Sequence, residues 1–142
     1  MTQAREVEYL YELLQMSDRT EMSRVRRYAV NRLYNLQPPL PPLRRILLCQ
    51  RYTLSRSLWL YPAVVELLER VEPLDLDEAE EAGWELLQKI SAMREALAPL
   101  RSEEGTFTFT RAHLLQYVSR YFEGHTRDTL IAPLSAHRRI TE

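Results

Sequence analysis

The chain has 142 residues, of which 45% are hydrophobic and 27% are charged, and its net charge is −1. A chain of this length buries about two-thirds of its unfolded surface, so we expect one globular domain. Because Cys49 is the only cysteine, an intrachain disulfide is excluded.

The composition predicts helices rather than sheets. Three glycines are few, and the eight prolines fall mainly between amphipathic patterns. Only residues 106–110, TFTFT, alternate like a strand, and this segment is too short to found a sheet. Since the sequence has neither a signal peptide nor an apolar run of about 18 residues, we expect a cytoplasmic protein without a membrane span.

Two amphipathic patterns come first in the chain. Arg5–Gln15 predicts one helix, which Ser17 and Asp18 are expected to end. Asp18 and Glu21 resemble a capping box for a second helix, which runs to about Leu36. The apolar positions of the two helices are Val7, Leu10, Tyr11 and Leu14, then Met22, Val25, Ala29, Leu33 and Leu36.

A proline-rich stretch, residues 37–44, follows these helices. Its prolines cannot occupy a helix interior, so the sequence predicts a rigid connector in polyproline II geometry. Pro39, Pro42 and Arg44 also form the Pro-x-x-Pro-x-Arg pattern that SH3 grooves accept. A linker needs no partner to explain these residues, and an SH3 ligand is the alternative.

Three further helices are predicted up to residue 98. The first runs from about Leu43 to about Leu60, and a short apolar helix covers Ala63–Val71. Asp75–Ala98 is predicted as one long helix with Asp75 as its cap. Its apolar arc consists of Leu76, Ala79, Gly83, Leu86, Leu87, Ile90, Met93 and Leu97. We therefore expect a compact all-α bundle of six to eight helices around a central helix at about 75–98.

The last part of the chain is predicted as a loop and two helices. Thr108 or Thr110 is expected to cap a helix over Arg111–Glu123, which Gly124 ends. A weaker helix is predicted for Thr126–Ala136, and residues 137–142 are expected to fray. The predicted inward positions of the helix before Gly124 are Leu114, Leu115, Val118, Tyr121 and Phe122.

No pattern in the sequence points to catalysis. His113, His125 and His137 are twelve residues apart, whereas zinc ligands come in close pairs. Cys49 lies among apolar residues and is predicted to be a buried, inert thiol. Because no phosphate loop, nucleophile elbow or paired-carboxylate pattern occurs, we expect no catalytic residue, metal or cofactor.

The charges are unevenly distributed along the chain. Residues 17–60 carry nine arginines and two acids, whereas residues 72–81 carry six acids and no base. These segments form either two solvated faces or, on the basic side, a docking surface. Arginine lies beside tyrosine at residues 26–28, 32–34 and 51–52, a combination that would suit nucleic acid. Because the chain as a whole is slightly acidic, we rank nucleic-acid binding third, after a protein-binding module and an SH3 ligand.

Two segments resemble one family. Residues 76–92, from Leu-Asp-Glu-Ala to Ile-Ser-Ala, are similar to the fifth helix of poxviral Bcl-2-like immune modulators. Residues 114–126, LLQYVSRYFEGHT, resemble the penultimate helix of that family and its exit. The chain departs from cellular Bcl-2 proteins at residues 82–85, where it reads Ala-Gly-Trp-Glu instead of Asn-Trp-Gly-Arg.

The resemblance implies a non-enzymatic protein that captures host proteins. The expected partners are signalling proteins upstream of NF-κB or pro-apoptotic helices, and the expected assembly is a homodimer. Tyr9 and Leu13 on the first helix, with Tyr117 and Arg120 on the helix before Gly124, lie outside the predicted apolar stripes. We expect these two helices to lie side by side and these four residues to bind the partner or the second copy.

Overall fold

The computed structural model describes residues 3–124, and over this range the prediction of an all-α fold with six to eight helices is confirmed. Between these residues no strand forms, and Arg101 and Phe107 make a single antiparallel bridge. The helix predicted for Thr126–Ala136 and the predicted tail lie outside the described residues. The helices are α1 (Gln3–Thr20), α2 (Ser23–Tyr34), α3 (Pro42–Tyr52), α4 (Tyr61–Glu69), α5 (Leu76–Ala82), α6 (Trp84–Leu97) and α7 (Arg111–Phe122), with a π-helical turn at Arg56–Leu60 and a 3-10 turn at Ala98–Leu100.

The contacts of the chain fall into two compact units, Met1–Pro41 and Pro42–Glu142. The boundary lies inside the proline-rich stretch, whose residues 35–41 are not helical. The linker interpretation of this stretch is therefore consistent with its place between the units. That the two units form one domain stays a prediction, as does the Bcl-2-like character of the fold.

The first unit is built from α1 and α2, which pack against each other. Two ion pairs join the helices: Arg26 with Asp18 at 3.5 Å, and Arg32 with Glu6. The amide of Gln3 donates to the carbonyl of Pro38 at 2.9 Å, so the connector is bound to the start of α1. The buried residues on the two helices are Leu10, Leu14, Ser17, Ala29 and Leu33.

The predicted break at Ser17 and Asp18 is wrong, because α1 continues to Thr20. The buried Ser17 hydroxyl donates to the carbonyl of Leu14 at 2.9 Å, which satisfies it inside the helix. The chain leaves the helix only at Glu21, whose φ is +56°. The Asp18–Glu21 capping box does not form, since α2 begins after Met22 without a side-chain cap.

In the second unit, α3 ends earlier than the sequence predicts. Thr53 adopts a left-handed φ of +53°, and the amide of Leu54 donates back to the carbonyl of Cys49 at 3.1 Å. The chain then makes the π-helical turn, in which Trp59 is buried. Leu58, in the same turn, is 50% exposed.

The centre of the second unit is α4. Pro62 stands in the first turn of α4, where the amide proton that proline lacks would have no partner within the helix. The helix α4 contacts α3, the π-helical turn, α6 and α7, so it is packed on several sides. Five of its nine residues are buried, namely Ala63, Val64, Val65, Leu67 and Leu68.

The single helix predicted over 75–98 is wrong, because Gly83 divides it. Asp75 does form a capping box: its carboxylate accepts from the amide of Glu78 at 2.8 Å, and the carboxylate of Glu78 accepts from the amide of Asp75 at 3.1 Å. At Gly83, φ is +83° and ψ is 164°, which ends α5 and turns the chain before α6. None of α5 is buried, whereas α6 buries Leu86, Ile90, Met93, Ala96 and Leu97.

Both predicted ends of the aromatic helix α7 are confirmed. Thr110 is its cap, and the hydroxyl of Thr110 accepts from the amide of His113 at 3.4 Å. Gly124 follows the helix with a φ of +88°, and its amide donates to the carbonyl of Tyr121 at 3.1 Å.

Two arginines hold the carboxyl end of α4. The guanidinium of Arg94, from α6, donates to the carbonyls of Leu67 at 2.8 Å, Arg70 at 2.9 Å and Val71 at 2.8 Å. Arg101, beyond the 3-10 turn, donates to the carbonyls of Leu68 and of Arg70, the latter at 3.0 Å. Helix ends leave such carbonyls unpaired, and a positive charge suits this end of the helix dipole. Burial lowers the pKa of both arginines from the ordinary arginine value.

A third arginine fixes the start of α5. The guanidinium of Arg70 donates two bonds of 2.9 Å to the carboxylate of Glu78, in the bidentate geometry that makes such pairs strong. The hydrogen bond from Arg70 lowers the pKa of Glu78, with a further contribution from the amide of Asp75. Both ends of the segment between α4 and α5 are therefore held by arginine side chains: the end of α4 by Arg94 and Arg101, and the start of α5 by Arg70.

Replacing Gly83 with Ala tests the break between α5 and α6. The backbone of Gly83 lies in a region that is nearly closed to other residues, so Gly83→Ala should destabilise the protein by about 1–3 kcal/mol. A continuous helix would instead gain about 1 kcal/mol from the same change. Urea unfolding gives the sign, and a stabilised variant would contradict the break.

The pair between Arg70 and Glu78 predicts an acid-sensitive contribution to stability. Because the folded pKa of Glu78 is lowered, its contribution is fully present above the ordinary glutamate pKa and is lost as the pH falls through the lowered value. Glu78→Gln keeps a capping side chain but does not titrate. Wild type should exceed Glu78→Gln in unfolding free energy at neutral pH, and the difference should shrink below a pH of about 4. A difference that is constant with pH would contradict the ion pair.

Candidate protein-binding surfaces

The predicted partner-binding residues do not form the expected surface. On α1, Tyr9 is exposed and Leu13 is half-buried. On α7, Tyr117 is only 4% exposed, so its predicted outward position is wrong. Tyr117 lies one helical turn from both Leu114 and Tyr121, and it therefore belongs to the inward stripe. Arg120 is half-buried, and the expectation that α1 and α7 lie side by side stays a prediction.

The proline motif is not presented as an SH3 ligand in this fold. Pro39 is exposed in the connector, but Pro42 and Arg44 lie in the first turn of α3. An SH3 groove needs these positions in extended polyproline II geometry. Arg44 is also paired with Glu81 of α5 at 3.0 Å.

Most of the arginine–tyrosine pairs are not available to nucleic acid in this fold. Arg26 and Arg32 are both engaged by acids of α1. Arg51 lies over the ring of Tyr52 at 5.3 Å, and Tyr52 is itself buried. A buried ring has no face on which a base could stack.

Cys49 lies at a surface depression of about 300 Å³ in the second unit, which Arg56, Lys89 and Phe122 also line. The thiol donates a weak bond to the carbonyl of Leu54 at 3.5 Å. Burial raises the pKa of Cys49, although the positive charge of Arg56 acts in the opposite direction. Thiols of raised pKa are poor nucleophiles, which supports the prediction of an inert side chain.

Among the described residues of the second unit, the most exposed large apolar side chains stand where α5 and α6 begin. Leu76 is 89% exposed and Trp84 is 76% exposed. Between them in the sequence, Asp77 and Glu80 of α5 are also exposed. We call these four residues the Leu76–Trp84 surface. Trp is the residue type most enriched at the energetic centres of protein interfaces.

The acids of this surface differ from their neighbours in having no partner. Glu78, Glu81 and Glu85 each pair with a base, namely Arg70, Arg44 and Lys89. The carboxylates of Asp77 and Glu80 make no ion pair and no hydrogen bond with any residue between 3 and 124. Their charge is therefore available to a binding partner.

The first unit carries a surface of opposite charge. Arg24, Arg27, Tyr28 and Asn31 recur at helical spacing along the exposed side of α2, and we call them the α2 stripe. Tyr28 is 53% exposed. Neither Arg24 nor Arg27 has an ion-pair partner within the described part of the chain.

Sequence reasoning missed the Leu76–Trp84 surface because it placed Leu76 in the apolar arc of one long helix. Gly83 was the available signal, since glycine is a strong helix terminator and stands directly before Trp84. Arg24, Arg27 and Asn31 were readable from the pattern as the polar side of their helix.

Comparisons with protein-family models, with curated proteins and with solved structures found no match to this chain. Over residues 3–124, no three side chains of the metal-binding types come together. In the same range, no helix is both long enough and apolar enough to cross a membrane.

The environment of Cys49 predicts slow alkylation. Iodoacetamide should modify the native protein far more slowly than the protein in denaturing urea, because the buried thiol is rarely ionised. Arg56→Gln removes a charge that favours the thiolate, so the native rate should fall further. Mass spectrometry follows the reaction, and equal rates in buffer and urea would show that the thiol is accessible.

Proposed function

We propose that this chain is a non-enzymatic protein-binding module that uses the Leu76–Trp84 surface. The observation that carries the proposal is the exposure of Leu76 and Trp84 on a short segment whose exposed acids, Asp77 and Glu80, have no partner among the described residues. Exposed single leucines are common, but an exposed large aromatic close in sequence to charges that no described residue neutralises is typical of a binding surface.

The finer proposal is a viral Bcl-2-like protein of the host cytoplasm that captures a signalling or pro-apoptotic protein and so dampens NF-κB signalling. It is supported by the resemblance of residues 76–98 and 111–126 to poxviral Bcl-2-like proteins. The all-α fold is compatible with it. The division at Gly83 departs from the single helix that the apolar spacing predicted, which includes the segment similar to the fifth helix of that family.

Neither alternative has a comparable observation in its favour. The SH3 interpretation needs an extended Pro-x-x-Pro-x-Arg segment, and Pro42 and Arg44 are helical. The nucleic-acid interpretation needs free arginines beside exposed rings, and only Arg27 with Tyr28 meets that description among the three pairs.

A reporter assay tests the proposed function. In stimulated cells, the wild-type protein should lower NF-κB reporter output, and Leu76→Ser with Trp84→Ala should restore it. Because both side chains are exposed, the melting temperature of the double variant should stay nearly unchanged.

Leu58→Ser is the matched control, since it removes a half-exposed leucine from the π-helical turn. It should keep the wild-type effect. A wild-type protein without effect on the reporter would contradict the finer proposal, and a double variant as active as wild type would contradict the assigned surface.

A further inference from the structure

We infer that the Leu76–Trp84 surface of one copy docks on the α2 stripe of a second copy. This inference rests on the proposed binding role of the Leu76–Trp84 surface and names its occupant. The two surfaces belong to different units of the chain, so each copy offers one of each.

Charge complementarity is the first reason for choosing a second copy as the occupant. The twelve residues of α2 include four arginines and no acid, and the seven residues of α5 include four acids and no base. Arg24 and Arg27 on one side, and Asp77 and Glu80 on the other, have no partner among the residues that the structure describes. Bringing the two helices together would neutralise charges that are otherwise left to solvent.

The apolar parts of the two surfaces also match. Trp84 presents an exposed indole face, and guanidinium groups bind most favourably over such a face. The α2 stripe supplies Arg24 and Arg27 at adjacent turns, with the exposed ring of Tyr28 beside them. Tyr28 and Leu76 would lose water-exposed apolar surface in the contact, and this burial favours association.

The size of the surfaces sets the expected strength. From Arg24 to Asn31, the α2 stripe is about 11 Å long, at 1.5 Å per residue. Stable interfaces bury about 800 Å² on each partner and use some 20–30 residues a side. A single helix face is smaller than that, so the association should be weak and should depend on concentration.

The geometry of the assembly follows from the use of two different surfaces. Contacts between unlike surfaces are heterologous, and they produce rings or open chains of copies unless the rotation closes after two. Since the attraction is largely electrostatic and exposed, added salt should weaken it.

Sedimentation equilibrium of the purified full chain tests the inference. Wild type should associate at high concentration and dissociate with dilution or added salt. The α2 variant, Arg24→Glu with Arg27→Glu, and the α5 variant, Asp77→Arg with Glu80→Arg, should each be monomeric, with association weakened about tenfold or more. In each variant, both surfaces carry the same sign of charge.

Mixing the two variants is the decisive arm of the experiment. The acidic α5 of the first variant faces the basic α2 of the second, and the reversed pair is also complementary. The mixture should therefore associate although neither variant does so alone. Arg19→Glu with Arg51→Glu matches the charge change of the α2 variant away from the stripe, and it should associate like wild type.

Acrylamide quenching of tryptophan fluorescence gives a second measurement. Trp59 is buried, so the quenchable emission comes from Trp84 and should be protected as the concentration of wild type rises. Three outcomes would overturn the inference. They are a wild type that stays monomeric, a mixture of the two variants that fails to associate, and a control variant that loses association. A monomeric wild type that still lowers the NF-κB reporter would overturn this inference alone. A self-associating wild type without effect on the reporter would overturn only the finer proposed function.

Discussion

The second unit depends on how the carboxyl end of α4 is satisfied. This helix is apolar on most sides, so its final carbonyls emerge among packed side chains rather than in bulk water. An unpaired buried carbonyl costs about 1–3 kcal/mol. Arg94 and Arg101 supply planar groups of donors to these carbonyls and a positive charge at the negative end of the helix. Arg94 and Arg101, which follow Arg70 by 24 and 31 residues, are therefore both bound to the same turn.

The exposure of the Leu76–Trp84 surface follows from this arrangement. Arg94 fixes α6 against the end of α4, and the apolar side of α6 then fills the space beside that helix. Arg70 draws Glu78 toward the same turn, which anchors the start of α5. The chain between the two anchors must change direction, and Gly83 permits the change because it has no side chain to resist a positive φ. Leu76 and Trp84 are left on the outside.

Local chemistry made much of the fold predictable. Pro62, Asp75, Thr110 and Gly124 mark helix ends through interactions within a few residues, and the sequence reveals such signals directly. The break at Gly83 was missed because the apolar period continues in phase across it, and Ser17 was misread because its hydroxyl is satisfied inside the helix. The contacts of Arg94 and Arg101 could not be predicted, since they join distant parts of the chain. For the site, the polar side of α2 was readable, whereas the exposed position of Leu76 depends on the turn at Gly83.

The uneven distribution of charge along the chain, rather than its net charge of −1, governs the proposed association. A chain with little net charge has little long-range repulsion between copies, and proteins near neutrality associate more readily than strongly charged ones. Here the neutrality arises from a basic segment at residues 17–60 and an acidic segment at residues 72–81, each with charges that no residue of the described chain neutralises. Opposite charges on two copies attract at short range, where screening by salt is incomplete. Basic and acidic segments of similar total charge nearly cancel in the whole chain, and they give α2 and α5 surfaces of opposite charge.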